Sequence, residues 1–151
     1  MANYQRELAQ DLLGEIMPLL VEHKEEIAFY QDIALDVDGN AYVHAEVNGL
    51  LRCYTARING ALVGYAVFFV KHNMHYQHSL QAIQDVLFVR KPHRHGRIGL
   101  GLIRFSEAEL KNEGVAVCYH HLKVNRPETI TLFRKLGYED VDLIVAKRLD
   151  R

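Results

Sequence analysis

Hydrophobic residues recur along this chain at two spacings, which distinguish helices from strands. Near the N-terminus they lie four residues apart, the spacing of one helical face, at Leu8, Leu12, Ile16 and Leu20. Pro18 interrupts this pattern, so we expect it to kink the helix or to start a second helix that runs to about Phe29. Residues 31–40 read as a loop, and a short helix is expected before Gly49.

The middle of the chain has the pattern of paired strands. Residues 50–58 and 61–70 flank Asn59-Gly60, a strong signal for a two-residue hairpin turn. The second of these strands is apolar on both faces, so both sides of its sheet should be covered. Further strands are predicted at 80–89, 115–122 and 141–147, with helices at 98–113 and 128–136. The sequence therefore predicts one mixed α/β domain, a sheet with helices on both faces.

The amino-acid composition says little about the fold but excludes several classes of function. The 151 residues are 49% hydrophobic and 25% charged, with a net charge of -1, which is ordinary for a globular protein. Near-neutrality argues against nucleic acid as a partner. No apolar run approaches a membrane span, and the N-terminus does not resemble a signal peptide. Two distant cysteines suggest neither a disulfide framework nor a zinc site, so we expect a cytoplasmic protein.

The residues best suited to bind a ligand lie between the strand at 80–89 and the helix at 98–113. The connecting loop is rich in glycine and cations, including Arg94 and Arg97. A helix N-terminus leaves several backbone N–H groups without partners and carries partial positive charge, so it favours a bound phosphate. Strand, loop and helix together indicate a nucleotide-type cofactor.

The residues of this loop carry a family resemblance. Arg94-His95-Gly96-Arg97-Ile98-Gly99 resembles the Arg/Gln-x-x-Gly-x-Gly/Ala signature of the GNAT acyltransferases, with Arg97 where the family usually has its first glycine. Residues 85–89 resemble the family's fourth strand, and residues 132–139 resemble its closing element. The resemblance covers roughly residues 50 to 148.

The resemblance implies a fold and a cosubstrate. We expect a GNAT-like mixed, mostly antiparallel sheet of six to seven strands, in which strands 82–89 and 115–122 are parallel but splay apart around the pantetheine. Acetyl-CoA would donate its acetyl group directly to an amine, with the backbone N–H of Val89 or Phe88 stabilising the oxyanion. The expected cofactor-binding residues are Leu87, Phe88, Val89, Arg94, His95, Gly96, Arg97, Ile98, Gly99, Leu100, Asn125 and Phe133.

An attacking amine must lose a proton, and Asp85 is the candidate base. It lies four residues before Val89 on the same strand, so strict alternation would direct both side chains to one face. The alternative is that Asp85 is a structural carboxylate paired with a nearby cation. Neither cysteine lies in a motif that lowers a thiol pKa, which favours direct transfer over a covalent enzyme intermediate.

The group that protonates the leaving CoA thiolate is harder to assign. The family usually has a tyrosine at the position of Phe133, which cannot donate a proton. Substitutes among the side chains are Tyr138, Tyr119, His75 and Tyr76, and water or the substrate could also serve.

At Arg97 we expect helical backbone angles and an outward side chain, because arginine avoids the positive φ that glycine permits.

Two hypotheses about function follow from the resemblance. The first is an acetyl-CoA-dependent N-acetyltransferase acting on a small molecule or a protein. The alternative is a degenerate domain that serves as a CoA-binding or protein-interaction module, favoured by Arg97 and Phe133. The nine histidines do not show the spacing of a metal site, so no metal is expected. A homodimer is left open.

Overall fold

The computed structural model describes residues 1–151, which form two compact units, Met1–His121 and Leu122–Arg151. The first unit contains one sheet in the order β1-β2-β3-β4-β5. Neighbouring strands are antiparallel except for β4 and β5, which are parallel. Its elements are β1 Asn3–Glu7, α1 Ala9–Ile27, α2 Gly39–Val47, β2 Leu51–Ile58, β3 Ala61–His72, β4 Leu80–Val89, a 3-10 turn Lys91–His93, α3 Ile98–Asn112 and β5 Val117–Tyr119.

Helices cover both faces of this sheet, which confirms the mixed, mostly antiparallel architecture. The sheet has five strands, so the expected number of six to seven is wrong. On one face, α1 and α2 pack against a buried cluster that includes Leu12, Ile16 and Tyr65. On the other face, α3 contributes Leu102 and Leu110 to a second cluster. We call these the α1/α2 face and the α3 face. Residues on β3 alternate between the two clusters, which explains why nearly the whole strand is buried.

The predicted hairpin is confirmed at Asn59 and Gly60. Both residues have positive φ, 48° and 82°, as a type I′ turn requires. The helix α1 runs unbroken from Ala9 to Ile27, so no second helix starts at Pro18. Buried residues on either side of the proline, Ile16 and Leu19, hold the helix against the sheet. No helix of the protein is both long enough and apolar enough to span a membrane.

Three strand predictions need correction. The segment Asn3–Glu7 forms β1, an edge strand that the sequence did not predict. The strand expected at 115–122 is only three residues long, because its backbone pairing with β4 ends at Tyr119. The strand expected at 141–147 is absent, since this apolar stretch has no partner strand and Val145 is 84% exposed.

The second unit contains one helix, α4 Pro127–Lys135. The helix ends at Lys135 with Leu136 as its C-cap, and Gly137 follows with a φ of 94°, a conformation suited to glycine just after a helix. The ring of Phe133 packs edge-on against that of Tyr138, with their centroids 5.0 Å apart. Arg134, in the last turn of the helix, forms an exposed ion pair with Asp140, which follows the helix.

Candidate active site

The loop before α3 presents a run of free backbone donors. None of the N–H groups of residues 95–100 donates to an acceptor within the chain. The first bond into the helix runs from the Gly101 N–H to the Arg97 carbonyl, at 2.8 Å. Six consecutive amides at the positive end of a 15-residue helix form a suitable binding surface for a pyrophosphate.

Arg97 is the N-cap of α3. Its φ of -95° and ψ of 13° are not helical, so the expectation of helical angles is wrong: the helix begins one residue later, at Ile98. The angles also do not require glycine, because φ is negative. The side chain is exposed, as expected.

The other loop arginine is engaged by α1. The Arg94 guanidinium forms a bidentate pair with Glu26, with Nη2 2.8 Å from Oε2. Its Nε donates to the Val89 carbonyl at 2.7 Å, and its Cζ lies 5.3 Å from the centre of the Phe88 ring. Arg90 pairs with Glu22, one turn earlier on the same helix, at 3.0 Å. The positive side chain of Arg94 is therefore held by protein groups, and its contact with phosphate stays a prediction.

Strands β4 and β5 part before β4 ends, as the resemblance predicts. Their pairing runs from Gln81 to Ile83 on β4, whereas β4 continues to Val89. The Arg90 N–H donates to β3 at 2.8 Å. Because donors alternate in an antiparallel ladder, the Phe88 N–H also faces β3 and the Val89 N–H faces the open side. Of the two amides expected to bind the thioester carbonyl, the geometry favours Val89.

Asp85 occupies a β-bulge in β4. Val67 pairs with Val86 and Phe68 with Gln84, so no β3 residue lies opposite Asp85. Its carboxylate accepts a 2.6 Å hydrogen bond from the hydroxyl of Tyr42 on the α1/α2 face. Val89 packs in the cluster of the α3 face. The expectation that Asp85 and Val89 share a face is therefore wrong, because the extra residue shifts the alternation.

A small cavity of about 30 Å³ lies beside Asp85, between α1 and the sheet. Its wall includes Tyr42, the buried Tyr65 and Cys53, and is otherwise mostly aliphatic. Burial raises the pKa of Tyr42, and the hydrogen bond to Asp85 raises it further. Burial, with the charge of Glu46, raises the pKa of the Cys53 thiol to about 12, so this cysteine is not a nucleophile at neutral pH.

His120 lies where β4 and β5 part, a position that the sequence did not indicate. It and Gln84 stand just past the last paired residues of β5 and β4, and their side chains meet at 2.5 Å between Nδ1 and Oε1. The Cys118 sulfur lies 3.7 Å from Nε2. Burial, then the charge of His121, lowers the pKa of His120 to about 4, so the imidazole is neutral at pH 7. The contact between Gln84 and His120 depends on the register in which β4 and β5 pair, and the sequence around either residue does not show that register.

Other predicted residues lie elsewhere. His75 and Tyr76 are exposed in the loop that enters β4 at Leu80, whereas Val89 is the last residue of that strand. Ten residues at about 3.3 Å each separate the two ends by about 30 Å, so the structure does not bring this loop to the Val89 amide. The remaining predicted residues, Asn125, Phe133 and Tyr138, belong to the second unit. No group of three or more His, Cys, Asp or Glu side chains could hold a metal ion.

A mixed sheet whose parallel strands part next to a loop of free amides defines an acyl-CoA-dependent transferase. Comparison with known proteins gives the family. The profile of the Acetyltransferase (GNAT) domain matches residues 49–140, more than half of the chain. The chain therefore belongs to the GNAT acetyltransferases, and acetyl-CoA is its cosubstrate. No protein of curated function matches it in sequence.

Solved structures share the fold at low sequence identity. A ribosomal-protein-alanine N-acetyltransferase from Brucella melitensis biovar Abortus 2308 is 17% identical, with a TM-score of 0.73 and 98% of this chain and 99% of that chain covered. An aminoglycoside acetyltransferase from an uncultured soil metagenomic sample, in complex with sisomicin, is 14% identical, with a TM-score of 0.78 and coverages of 99% and 97%. A predicted acetyltransferase from Clostridium acetobutylicum, with acetyl-CoA, is 18% identical, with a TM-score of 0.68 and coverages of 99% and 97%.

Proposed function

We propose that the protein transfers the acetyl group of acetyl-CoA directly to an amine, within a ternary complex. The observation that carries this proposal is the set of free backbone donors at Val89 and at residues 95–100. The run at 95–100 is suited to the pyrophosphate, while the Val89 N–H is directed to the gap between β4 and β5 and would polarise the thioester carbonyl. Leu87, whose N–H faces the same gap, would line the pantetheine path.

Asp85 is the proposed general base. Amines are mostly protonated at neutral pH, so the acceptor must lose a proton before it attacks, and Asp85 would accept this proton directly or through water. The Tyr42 hydroxyl holds one carboxylate oxygen in place, and Asp85 forms no ion pair. This environment supports a catalytic role over the alternative of a carboxylate neutralised by a cation.

Fewer contacts in the structure support the other residues of the proposed site. Tyr138 stays the side-chain candidate for protonating the CoA thiolate, since Phe133 cannot donate, and Asn125 and Phe133 stay candidate cofactor contacts. The exposed His75 and Tyr76 lie far along β4 from Val89, which favours Tyr138 or water as the proton donor.

Arg97 no longer favours the alternative of a degenerate domain, because its backbone needs no glycine. The acceptor is a small molecule or a protein, acetylated in the cytoplasm by a single-domain enzyme, with a homodimer left open.

The test combines binding with turnover. Acetyl-CoA at about a hundred times its Kd should stabilise the fold by roughly 2.7 kcal/mol, seen as a rise in Tm. Release of CoA thiol with a panel of amines should then report transfer. No thermal shift with acetyl-CoA, propionyl-CoA or CoA would remove the basis of the proposal.

The Asp85→Asn variant tests the base. We expect turnover to fall by about 10² with little change in the KM for acetyl-CoA, and the acidic limb of the pH profile to disappear. Asp142→Asn, which changes an exposed carboxylate in the second unit, is the matched control and should behave as wild type. Wild-type turnover and pH dependence in Asp85→Asn would reject the assignment.

A further inference from the structure

The C-terminal segment at 141–149 exposes a run of large apolar side chains. Val141, Leu143, Ile144, Val145 and Leu149 are between 65% and 87% exposed. Single exposed apolar residues are common, but a contiguous apolar patch marks an interaction surface. The backbone N–H and C=O groups of residues 141–147 also form no hydrogen bond within the chain. Both the side chains and the backbone of this segment therefore lack a partner.

The strand β5 offers a free edge. It is the last strand of the sheet and pairs only with β4. The Ala116 N–H donates to the Leu80 carbonyl at 2.8 Å, so the backbone groups of Val117 and Tyr119 face away from β4. Neither of these two residues forms a backbone hydrogen bond on that outer side. Such an edge is a template for one more strand.

Charge selects the direction in which the segment would add to this edge. The segment begins with the acidic residues Asp140 and Asp142 and becomes basic at Lys147, while β5 is followed by the basic residues His121 and Lys123. Antiparallel addition places the two carboxylates beside these basic residues, whereas parallel addition would place Lys147 beside Lys123. Exposed ion pairs contribute little energy, so the charges set the direction and the apolar side chains supply most of the affinity.

One antiparallel register satisfies the charges and the apolar side chains together. The opposed pairs are then Lys123–Asp140, His121–Asp142 and Tyr119–Ile144. A shift by one residue in either direction would place His121 opposite Val141 or Leu143. We therefore use the first register to design the experiment.

We propose that residues 140–147 of one copy add as an antiparallel strand to the β5 edge of a second copy, and that the reciprocal addition completes a two-fold symmetric dimer. Within one chain neither the edge nor the segment is paired, and two copies satisfy both with closed symmetry. The net charge of -1 offers little repulsion between copies. The inference goes beyond acetyl transfer and does not depend on it.

Sedimentation equilibrium of the full chain tests the association. We expect the wild type to have twice the 17.4 kDa mass of one chain. Val145, which is opposite Cys118 in this register, is covered only in the dimer, so Val145→Asp should weaken the dimer Kd at least about tenfold. Val47→Asp is the matched control, since Val47 on α2 is 80% exposed and Val145 is 84% exposed. The control should leave the Kd unchanged.

Disulfide cross-linking tests the pairing itself. The backbone groups of Val117 face the added strand, so the Cα of its partner Ala146 should lie about 5.5 Å away, within the range of a disulfide. Oxidation of a mixture of Val117→Cys and Ala146→Cys should therefore give a covalent dimer. Lys147→Cys, whose side chain is directed to the other face, is the control and should not cross-link to Val117→Cys. All three variants carry Cys118→Ser, and Cys53 is buried.

Several outcomes would overturn the proposed exchange. One is a mass of 17.4 kDa at every concentration, and another is a dimer that Val145→Asp and Val47→Asp weaken equally. A dimer without the cross-link between Val117→Cys and Ala146→Cys would also refute this pairing. Ala146→Cys that cross-links with itself would show that two segments pair with each other. A disulfide within a single chain that carries both cysteines would show that the segment pairs with its own sheet.

Discussion

The ion-pair network around Arg57 gives a quantitative prediction about stability. Its guanidinium bonds Glu7 through Nε at 2.9 Å and Glu15 through Nη2 at 2.8 Å, and Thr55 bonds the same Glu7 carboxylate. These residues lie on β1, β2 and α1, so the network fastens an edge strand and the helix that forms one wall of the cavity. Replacing Arg57 by methionine keeps most of the packing and removes the charge.

The magnitude follows from the pKa of Glu7. Burial alone would raise this pKa, but hydrogen bonds from Arg57, Gln5 and Thr55 and the charge of Arg57 lower it from 4.5 to about 2. At about 1.4 kcal/mol per pH unit, a shift of this size corresponds to about 3 kcal/mol of folding free energy. Because the folded pKa lies below the unfolded one, this stability is present above about pH 4.5 and is lost as the pH falls towards 2.

Urea unfolding at several pH values between 7 and 2 would measure these quantities. Arg57→Met should lower the free energy of unfolding at pH 7 by about 3 kcal/mol, since Glu7 is left charged and only 18% exposed. Glu7→Gln should flatten the decline between pH 4.5 and 2. Asp140→Asn, which breaks an exposed ion pair, is the control and should leave the free energy of unfolding nearly unchanged. A wild-type pH slope in Glu7→Gln would refute the reasoning.

Two further predictions concern the loop before α3, which we propose to bind the pyrophosphate. Arg97→Gly should weaken acetyl-CoA binding about three- to tenfold at low salt and less at high salt, because exposed charge pairs are screened; tighter binding would identify the arginine as an obstruction. Glu26→Gln should free the Arg94 guanidinium for phosphate and tighten acetyl-CoA binding about two- to fivefold, measured by calorimetry. Its neighbour Glu25→Gln is the control, and an unchanged Kd in Glu26→Gln would show that Arg94 does not contact the cosubstrate.

Local signals predicted much of this fold. The Asn59-Gly60 turn fixes its own hairpin, because both residues tolerate positive φ. The helix α3 was expected at 98–113 and spans Ile98–Asn112, since an amphipathic period and the following Gly114, with a φ of 90°, define it within a few residues. The loop before α3, which we propose to bind the pyrophosphate, was predicted in the same way, because its glycines and cations are adjacent in sequence.

Features that depend on distant partners were not predicted. The segment Asn3–Glu7 is a strand because β2 offers it an edge, although its own sequence is polar. The apolar stretch at 141–147 has the pattern of a strand without a partner. The pairs Asp85–Tyr42 and Gln84–His120 join residues more than 30 positions apart. Propensity describes a segment, whereas strand pairing and side-chain contacts depend on the rest of the chain.

The bulge at Asp85 connects the two halves of the proposed chemistry. Before it, Gln81 and Ile83 are opposite Lys71 and Phe69; after it, Val86 and Phe88 are opposite Val67 and Tyr65. The β4 residues that bond β3 are thus odd-numbered before the bulge and even-numbered after it. The bonds that continue the ladder at its two ends agree, from the Asn73 N–H to the Ser79 carbonyl and from the Arg90 N–H to the Val63 carbonyl. Without the extra residue, the Val89 N–H would be used by β3. One inserted residue therefore directs the Asp85 carboxylate to the α1/α2 face and frees the Val89 amide at the gap beside β5, so the proposed base and the proposed oxyanion donor depend on the same irregularity.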